Sequence, residues 1–201
     1  MATALTWEHA TGLPPEIDRL LGPGCDVLLR LAEHKVALPG RGGASQSDVF
    51  VFAYTPTGRV AVAIEAKVDE PFDQPLSQWL AKGASNRRDR LAGLCEILGR
   101  SGTMPPPSLY YQLFHRTAAA VVEARRFGFP RAAMIVQSFS PTHKWLDAFA
   151  AFSRFIGAET GLDKAADCTL EDGLRLTLGW AHSPIPAKDA RPTNTDAQER
   201  R

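Results

Sequence analysis

Two neighbouring apolar segments, residues 48–54 (DVFVFAY) and 59–68 (RVAVAIEAKV), are rich in β-branched and aromatic side chains. Such segments are typical of β-strands. The four residues between them, Thr-Pro-Thr-Gly at 55–58, place Pro and Gly where a tight turn favours them. The pattern predicts a β-hairpin.

The rest of the chain alternates between helical periodicity and strand-like runs. Segment 16–36 has helical spacing that is interrupted by Gly-Pro-Gly at 22–24, so it predicts one broken helix or two short ones, with a short strand near Val36. Further along, the pattern predicts helices at 85–98, 108–128 and 143–160, the last capped by Thr142, and strands at 131–139 and 174–182. This order predicts a mixed α/β fold.

Side-chain volume predicts the register of the hairpin. Pairing Phe50 with Ala63 and Phe52 with Ala61 sets large side chains against small ones. This register places Asp48 directly opposite Glu65.

The same strand carries a second charge. Glu65 and Lys67 are two residues apart and therefore project from the same face of the strand. A three-residue loop with a bulge at Gly58 is an alternative that would shift the pairing by about one residue and turn the two carboxylates to opposite faces.

Two adjacent carboxylates repel each other unless a cation lies between them. Mg²⁺ (or Mn²⁺) uses few protein ligands and keeps several waters, so Asp48, Glu65 and the backbone carbonyl of Ala66 form a candidate metal site. Lys67 would then orient a metal-polarised water and stabilise negative charge on a phosphate in the transition state. The alternative is a simple ion pair at the rim of the sheet.

The spacing of Asp48 and Glu65-Ala66-Lys67 resembles the D…(D/E)-x-K signature of the PD-(D/E)XK nuclease superfamily, over roughly residues 33–139. The resemblance implies a restriction-endonuclease-like, three-layer fold, whose core is a helix, a three-stranded meander, a helix and a further strand. It also implies that the two acids bind the metal and that the lysine assists the attacking water. Ser47 replaces the proline that often precedes the first aspartate.

The segment YYQLFHRTAAAVVEARRF is similar to the "QLxxRT" helix of uncharacterised bacterial restriction-endonuclease-like proteins. This similarity makes Gln112 a candidate catalytic residue and Arg116 a candidate substrate-binding residue, although a helix with this spacing is often simply solvated. Some superfamily members add an acid from the first helix, for which Glu33 is the candidate metal ligand and Glu16 the reserve.

Two further segments are candidates for substrate contacts. Ser47 ends a Gly/Ser-rich loop that could wrap a substrate backbone, and Arg88 lies in a basic run that could contact phosphates. The alternative for both is an ordinary solvated loop or helix face.

The composition limits the class of protein. A chain of 201 residues with 44% hydrophobic content can bury one core, so we expect a single domain at 1–183 and a disordered tail at 184–201. The three distant cysteines predict no disulfide framework and no zinc site. No signal peptide or membrane span is evident, so we expect a cytoplasmic protein.

The sequence leaves three functions open. The first is a magnesium-dependent nuclease that acts on DNA more than RNA, as a homodimer if both strands are cut. The second is a non-catalytic domain that retains the fold and binds nucleic acid or protein, which the net charge of +1 favours because long DNA contacts require a basic surface. The third is a hydrolase of a small phosphorylated molecule.

Overall fold

A computed structural model describes residues 2–82 and 85–185, so that residues 186–201 of the predicted tail lie outside the described residues. The helices are α1 (Ala2–His9), α2 (Pro15–Leu21), α3 (Leu76–Ala81), α4 (Ser85–Ile97), α5 (Tyr111–Arg126) and α6 (Leu146–Ile156). The strands are β1 (Asp26–Val36), β2 (Ser45–Thr55), β3 (Gly58–Lys67), β4 (Arg131–Ser138), β5 (Lys164–Thr169) and β6 (Arg175–His182).

The six strands form one mixed sheet in the order β1-β2-β3-β4-β6-β5. The first three strands are antiparallel neighbours, β3 pairs parallel with β4, and β4 pairs parallel with β6. The edge strand β5 is antiparallel to β6. The predicted α/β class is confirmed.

Helices cover both faces of the sheet. On one face, α4, α5 and α6 pack against side chains that include Phe50, Phe52 and Trp180. On the other face, Trp7 of α1 and Ile17 of α2 pack against the alternate residues of the same strands. The sheet therefore lies between two hydrophobic layers, as its period-2 apolar pattern requires.

The hairpin has the volume-matched register. Phe50 pairs with Ala63 and Phe52 with Ala61, and the loop is closed by Thr55 opposite Gly58. Gly58 has a φ of 116°, a left-handed conformation that favours glycine. The prediction made from side-chain volume is confirmed, and the bulged alternative is not formed.

The predicted helix over 26–36 is wrong, because this segment is the edge strand β1. Its apolar residues mimic helical spacing, but Leu28 and Leu29 are 49% and 48% exposed and do not form a helical core face. Pairing with the open edge of β2 decides the conformation. The sequence pattern also missed α1, α3 and β5, and α6 begins at Leu146 rather than beside Thr142.

Candidate active site

The site lies where β2 begins and β3 ends. The antiparallel ladder between these strands stops at Val49 opposite Ile64. Just beyond this last pair, the Ala66 N–H donates a hydrogen bond to Asp48 Oδ2 at 2.7 Å. This bond fixes the Asp48 carboxylate next to the segment that carries Glu65 and Lys67.

The Glu65 carboxylate is 2% exposed and accepts hydrogen bonds from three side chains. Its Oε1 accepts from Lys67 Nζ at 2.9 Å and from Gln112 Nε2 at 2.6 Å, and its Oε2 accepts from Arg116 Nε at 2.5 Å. Lys67 reaches Glu65 because the two share a strand face, and Gln112 and Arg116 reach it because they are one turn apart on α5. Four of the predicted residues are thus brought together.

The Asp48 carboxyl has a perturbed acidity. Burial, followed by the negative charge of Glu65, raises the pKa of Asp48 to about 6, although the Ala66 N–H and the charges of Arg116 and Lys67 act in the opposite direction. The rise agrees with two carboxylates held close together in a partly buried site.

Arg116 is itself held in place by neighbouring side chains. Its Nη1 donates to Ser45 Oγ at 3.3 Å, and Ser45 Oγ lies 2.9 Å from His115 Nδ1. Burial, with the charges of Arg116 and Arg90, lowers the pKa of His115 to about 3, so the imidazole is neutral and its Nδ1 can accept from the Ser45 hydroxyl. This chain of contacts fixes the guanidinium against Glu65.

The site offers few side-chain ligands for a divalent cation. Within residues 2–82 and 85–185, no three His, Cys, Asp or Glu side chains come together as metal ligands. Two carboxylates would therefore need completion by a backbone oxygen and water, which magnesium accepts. In a strand the N–H and C=O of one residue point to the same edge, so the Ala66 carbonyl lies on the edge where its N–H meets Asp48.

The Asp48 and Glu65 carboxylates differ in how many hydrogen bonds they already accept from the protein. Among the described residues, Asp48 accepts one hydrogen bond, whereas Glu65 accepts three. A carboxylate oxygen has about two lone-pair sites, so Glu65 Oε2 keeps one of them free. The oxygen atoms with room for a further hard ligand partner are therefore those of Asp48 and the Ala66 carbonyl, whereas Glu65 is mostly occupied by its three donors.

A cleft of about 520 Å³, here called the α1 cleft, gives access to the site. It lies between α1, the middle of β1, the first half of β2 and the end of β3, and its lining includes Asp48, Ala66 and Lys67. The other lining residues are Thr3, Ala4, Trp7, Glu8, Arg30, Ala32, Glu33, Val49, Val68 and Glu70.

Two predicted acidic ligands have other surroundings. Glu33 lines the α1 cleft, but it has a φ of 52° and its carboxylate accepts a hydrogen bond from Gln46 Nε2, so it is not part of a three-acid cluster. Glu16, the reserve candidate, is buried beneath α2, where it accepts hydrogen bonds from Gln137 Nε2 and Ser183 Oγ. Among the described residues, neither acid forms a cluster of three ligands with Asp48 and Glu65. Glu33 lies on the strand β1 rather than on a first helix and lines the same cleft as Asp48, so its role as a metal ligand stays a prediction.

Two predicted substrate-binding residues also lie elsewhere. Ser47 is 0% exposed within β2, so a substrate cannot reach it. Arg88 lies on α4 beside a second cavity, lined in part by Leu91 and Cys95, and not in the α1 cleft. Strand pairing buries Ser47, and helix packing places Arg88 outside the α1 cleft. Their roles in substrate binding stay predictions.

Sequence reasoning missed residues with long-range partners. Arg90 is 3% exposed and donates to the carbonyl oxygens of Pro39 and Gly43 at 2.7 and 2.9 Å, which holds the Gly/Ser loop in place. Trp7 anchors α1 through a 2.9 Å hydrogen bond from its Nε1 to Gln137 Oε1. Arg30 lines the cleft. Their local sequence contained no signal for these roles.

Three further observations concern relatives and environment. A family model described as "Domain of unknown function (DUF6946)" matches residues 1–185. No curated protein and no solved structure matches the chain. Across the described part of the chain, every helix is too short or too polar to cross a membrane.

Proposed function

We propose that this chain, which belongs to the DUF6946 family, is a divalent-metal-dependent hydrolase of phosphodiesters with the restriction-endonuclease-like fold. The observation that carries this proposal is the meeting of Asp48, the Ala66 backbone, Glu65 and Lys67 at the end of one hairpin, beside a cleft that Asp48, Ala66 and Lys67 line. This arrangement supplies two acids and a cation to the same small volume.

The order of elements supports the fold assignment. A helix (α2) precedes an antiparallel meander (β1 to β3), and further helices lead to β4, which is parallel to β3. The resemblance of the D…E-x-K spacing implies this same order. The candidate residues lie at the ends of β2 and β3, the strands that carry the signature.

Each residue has a role in the proposed hydrolysis. Bound Mg²⁺ or Mn²⁺ would polarise a water and a phosphate oxygen. Asp48 and the Ala66 carbonyl would hold that ion, with one contact from Glu65. Lys67, whose Nζ donates to Glu65 Oε1, would orient the attacking water and stabilise the negative charge that develops on the phosphate. Gln112 and Arg116 are positioning residues, because they fix the Glu65 carboxylate.

The test combines metal binding with hydrolysis. Isothermal titration of Mg²⁺ or Mn²⁺ should show binding to the wild type. The Kd for the metal should be at least about tenfold higher for Asp48→Asn, which removes the carboxylate that accepts the fewest hydrogen bonds from the protein. Hydrolysis of bis(p-nitrophenyl) phosphate should require the metal and fall at least about 100-fold in Lys67→Ala. Arg175→Ala, which removes an exposed cation on β6, is the matched control and should keep full activity. A folded, fully active Lys67→Ala protein, or equal metal binding by wild type and Asp48→Asn, would contradict the proposal.

One observation favours a second candidate, a non-catalytic binding domain that retains this fold. The two positive charges of Lys67 and Arg116 balance the two negative charges of Asp48 and Glu65 without any metal. In that case a ligand would bind equally well in EDTA, and no phosphodiester would be cleaved with magnesium or manganese.

A further inference from the structure

The α1 cleft has the size of a small-molecule site. Its volume of about 520 Å³ lies within the range of roughly 300–1,000 Å³ that is usual for small-ligand pockets. A specific duplex interface, in contrast, covers about 1,000–2,500 Å² of protein surface. The path to Asp48 and Lys67 through this cleft therefore suits a compact substrate.

The charge of the cleft limits the number of phosphates that it can hold. Four carboxylates line it against two cations, and these six residues are Glu8, Glu33, Asp48, Glu70, Arg30 and Lys67. One divalent cation would bring this sum near zero, which leaves no excess of positive charge for a chain of phosphates. Nucleic-acid sites instead neutralise several phosphates with Lys and Arg.

Arg30 is the cleft residue best able to bind one phosphate. Its Nη1 donates to the Trp7 carbonyl oxygen at 2.6 Å and its guanidinium lies 5.8 Å from the centre of the Trp7 ring. Among the described residues, its Nε and Nη2 groups have no hydrogen-bond partner. Arg30 is an exposed residue whose guanidinium is fixed through Nη1, and a guanidinium can pair two N–H groups with two phosphate oxygens.

We propose that the substrate is a small molecule with a single phosphodiester group and otherwise neutral or cationic parts, and that Arg30 binds its phosphate. This inference rests on the function proposed above and narrows it to a substrate class. In the reaction, the oxygen of water forms a bond to phosphorus and the bond to one ester oxygen breaks. A phosphomonoester and an alcohol are released, and a proton from the water ends on the alcohol.

A binding experiment tests the substrate class even without turnover. A dinucleoside monophosphate, which has one phosphodiester between two uncharged nucleosides, and a 20-base-pair duplex are each titrated calorimetrically into the wild-type protein with Mg²⁺ present. The dinucleotide should bind, with a salt dependence of about one ionic contact. The duplex should bind at least about tenfold more weakly per mole. Tighter duplex binding with a steep salt dependence, or no dinucleotide binding, would overturn the inference.

Variants test the role of Arg30. Arg30→Gln keeps a donor for the Trp7 carbonyl but loses the charge, so the Kd for the dinucleotide should rise about tenfold or more. Arg59→Gln is the matched control, because Arg59 also lies over an aromatic ring, that of Phe129 at 5.1 Å, and donates to a main-chain carbonyl, but belongs to the turn end of β3. Its Kd should be unchanged. Equal Kd values for Arg30→Gln and wild type would remove Arg30 from the site.

Turnover separates this inference from the proposed function. Hydrolysis of bis(p-nitrophenyl) phosphate should be inhibited by the dinucleotide but not by the duplex at the same molar concentration. Metal-dependent hydrolysis that the duplex inhibits would keep the proposed function and overturn the small-substrate inference. Dinucleotide binding without hydrolysis of any phosphodiester would overturn the function and keep the binding site.

Discussion

Two charged clusters in the same sheet have opposite environments. In the β3 cluster, Glu65, Lys67 and Arg116 have side chains that are 3%, 6% and 11% exposed. In the β6 cluster, the side chains of Asp167 and Arg175 are 29% and 48% exposed. Both clusters contain direct contacts between a carboxylate and a cation, but only the β3 cluster is buried away from water.

The difference bears on function. Exposed ion pairs contribute about 0–1 kcal/mol to stability and are common at sheet rims. Burying several charges costs free energy that their mutual attraction only partly offsets, and apolar residues often fill such a place equally well. The β6 cluster is an ordinary exposed ion pair near the edge of a sheet, whereas the proposed function rests on the buried charges of the β3 cluster.

Removing the central acid of each cluster should give the largest contrast. Glu65→Ala leaves the Lys67 and Arg116 cations buried without a partner, and we expect a loss of about 3–5 kcal/mol in the free energy of unfolding. Asp167→Ala should lose only about 1–2 kcal/mol, because it removes an exposed ion pair and the hydrogen bond that Asp167 Oδ1 accepts from Thr177 Oγ1. Urea denaturation measures both, and equal losses would mean that the burial of the β3 cluster has no energetic consequence.

Removing one cation from each cluster should give a smaller contrast. Arg116→Met leaves Glu65 with Lys67 and Gln112, so we expect a loss of about 1.5–3 kcal/mol, typical of a hydrogen bond to a charged group. Arg175→Met should change the free energy of unfolding by less than about 1 kcal/mol. The same denaturation experiment applies, and a neutral Arg116→Met variant would contradict the assigned contact.

The pKa of Asp48 gives the β3 cluster a pH dependence. Because the pKa of Asp48 is about 6 in the folded protein and 3.8 in the reference state, the folded state binds the proton more tightly. The contribution of Asp48 to the stability of the wild type should therefore fall as the pH rises from about 4 to 6. Asp48→Asn resembles the protonated form of Asp48. Without metal, its free energy of unfolding should therefore match that of the wild type near pH 4 and exceed it by roughly 1–2 kcal/mol at pH 8. This difference is smaller than the full pKa shift would give, because Asp48 is partly exposed to solvent.

The control for this pH experiment is Asp167→Asn. Asp167 lies in the exposed cluster, so the stability of its variant relative to wild type should not gain a comparable dependence on pH between 4 and 8. Parallel stability curves for wild type and Asp48→Asn would contradict the raised pKa of Asp48.

Salt should give the smallest but most selective effect. A double-mutant cycle on Asp167 and Arg175 should yield a coupling of a few tenths of a kcal/mol that declines in 1 M NaCl, since the Debye length falls to about 3 Å. The cycle on Glu65 and Arg116 should keep most of its coupling. Equal screening of the two cycles would mean that water reaches both clusters alike.

The sequence by itself determined the features that depend on near neighbours. The hairpin register followed from the volumes of Phe50, Phe52, Ala61 and Ala63, and the shared face of Glu65 and Lys67 followed from the period of a strand. The buried stripe of Leu91, Leu94 and Cys95 on α4, continued by Leu98 directly after the helix, followed from helical periodicity.

Only the tertiary structure decided the rest. β1 is a strand because an open edge of β2 was available to pair with it, although its apolar spacing fits a helix. Arg90, Trp7 and Arg30 have their roles because partners 20 to 130 positions away in the chain come within hydrogen-bond distance. Local sequence carries information about periodicity and turns, whereas these contacts depend on which surfaces the folded chain brings together.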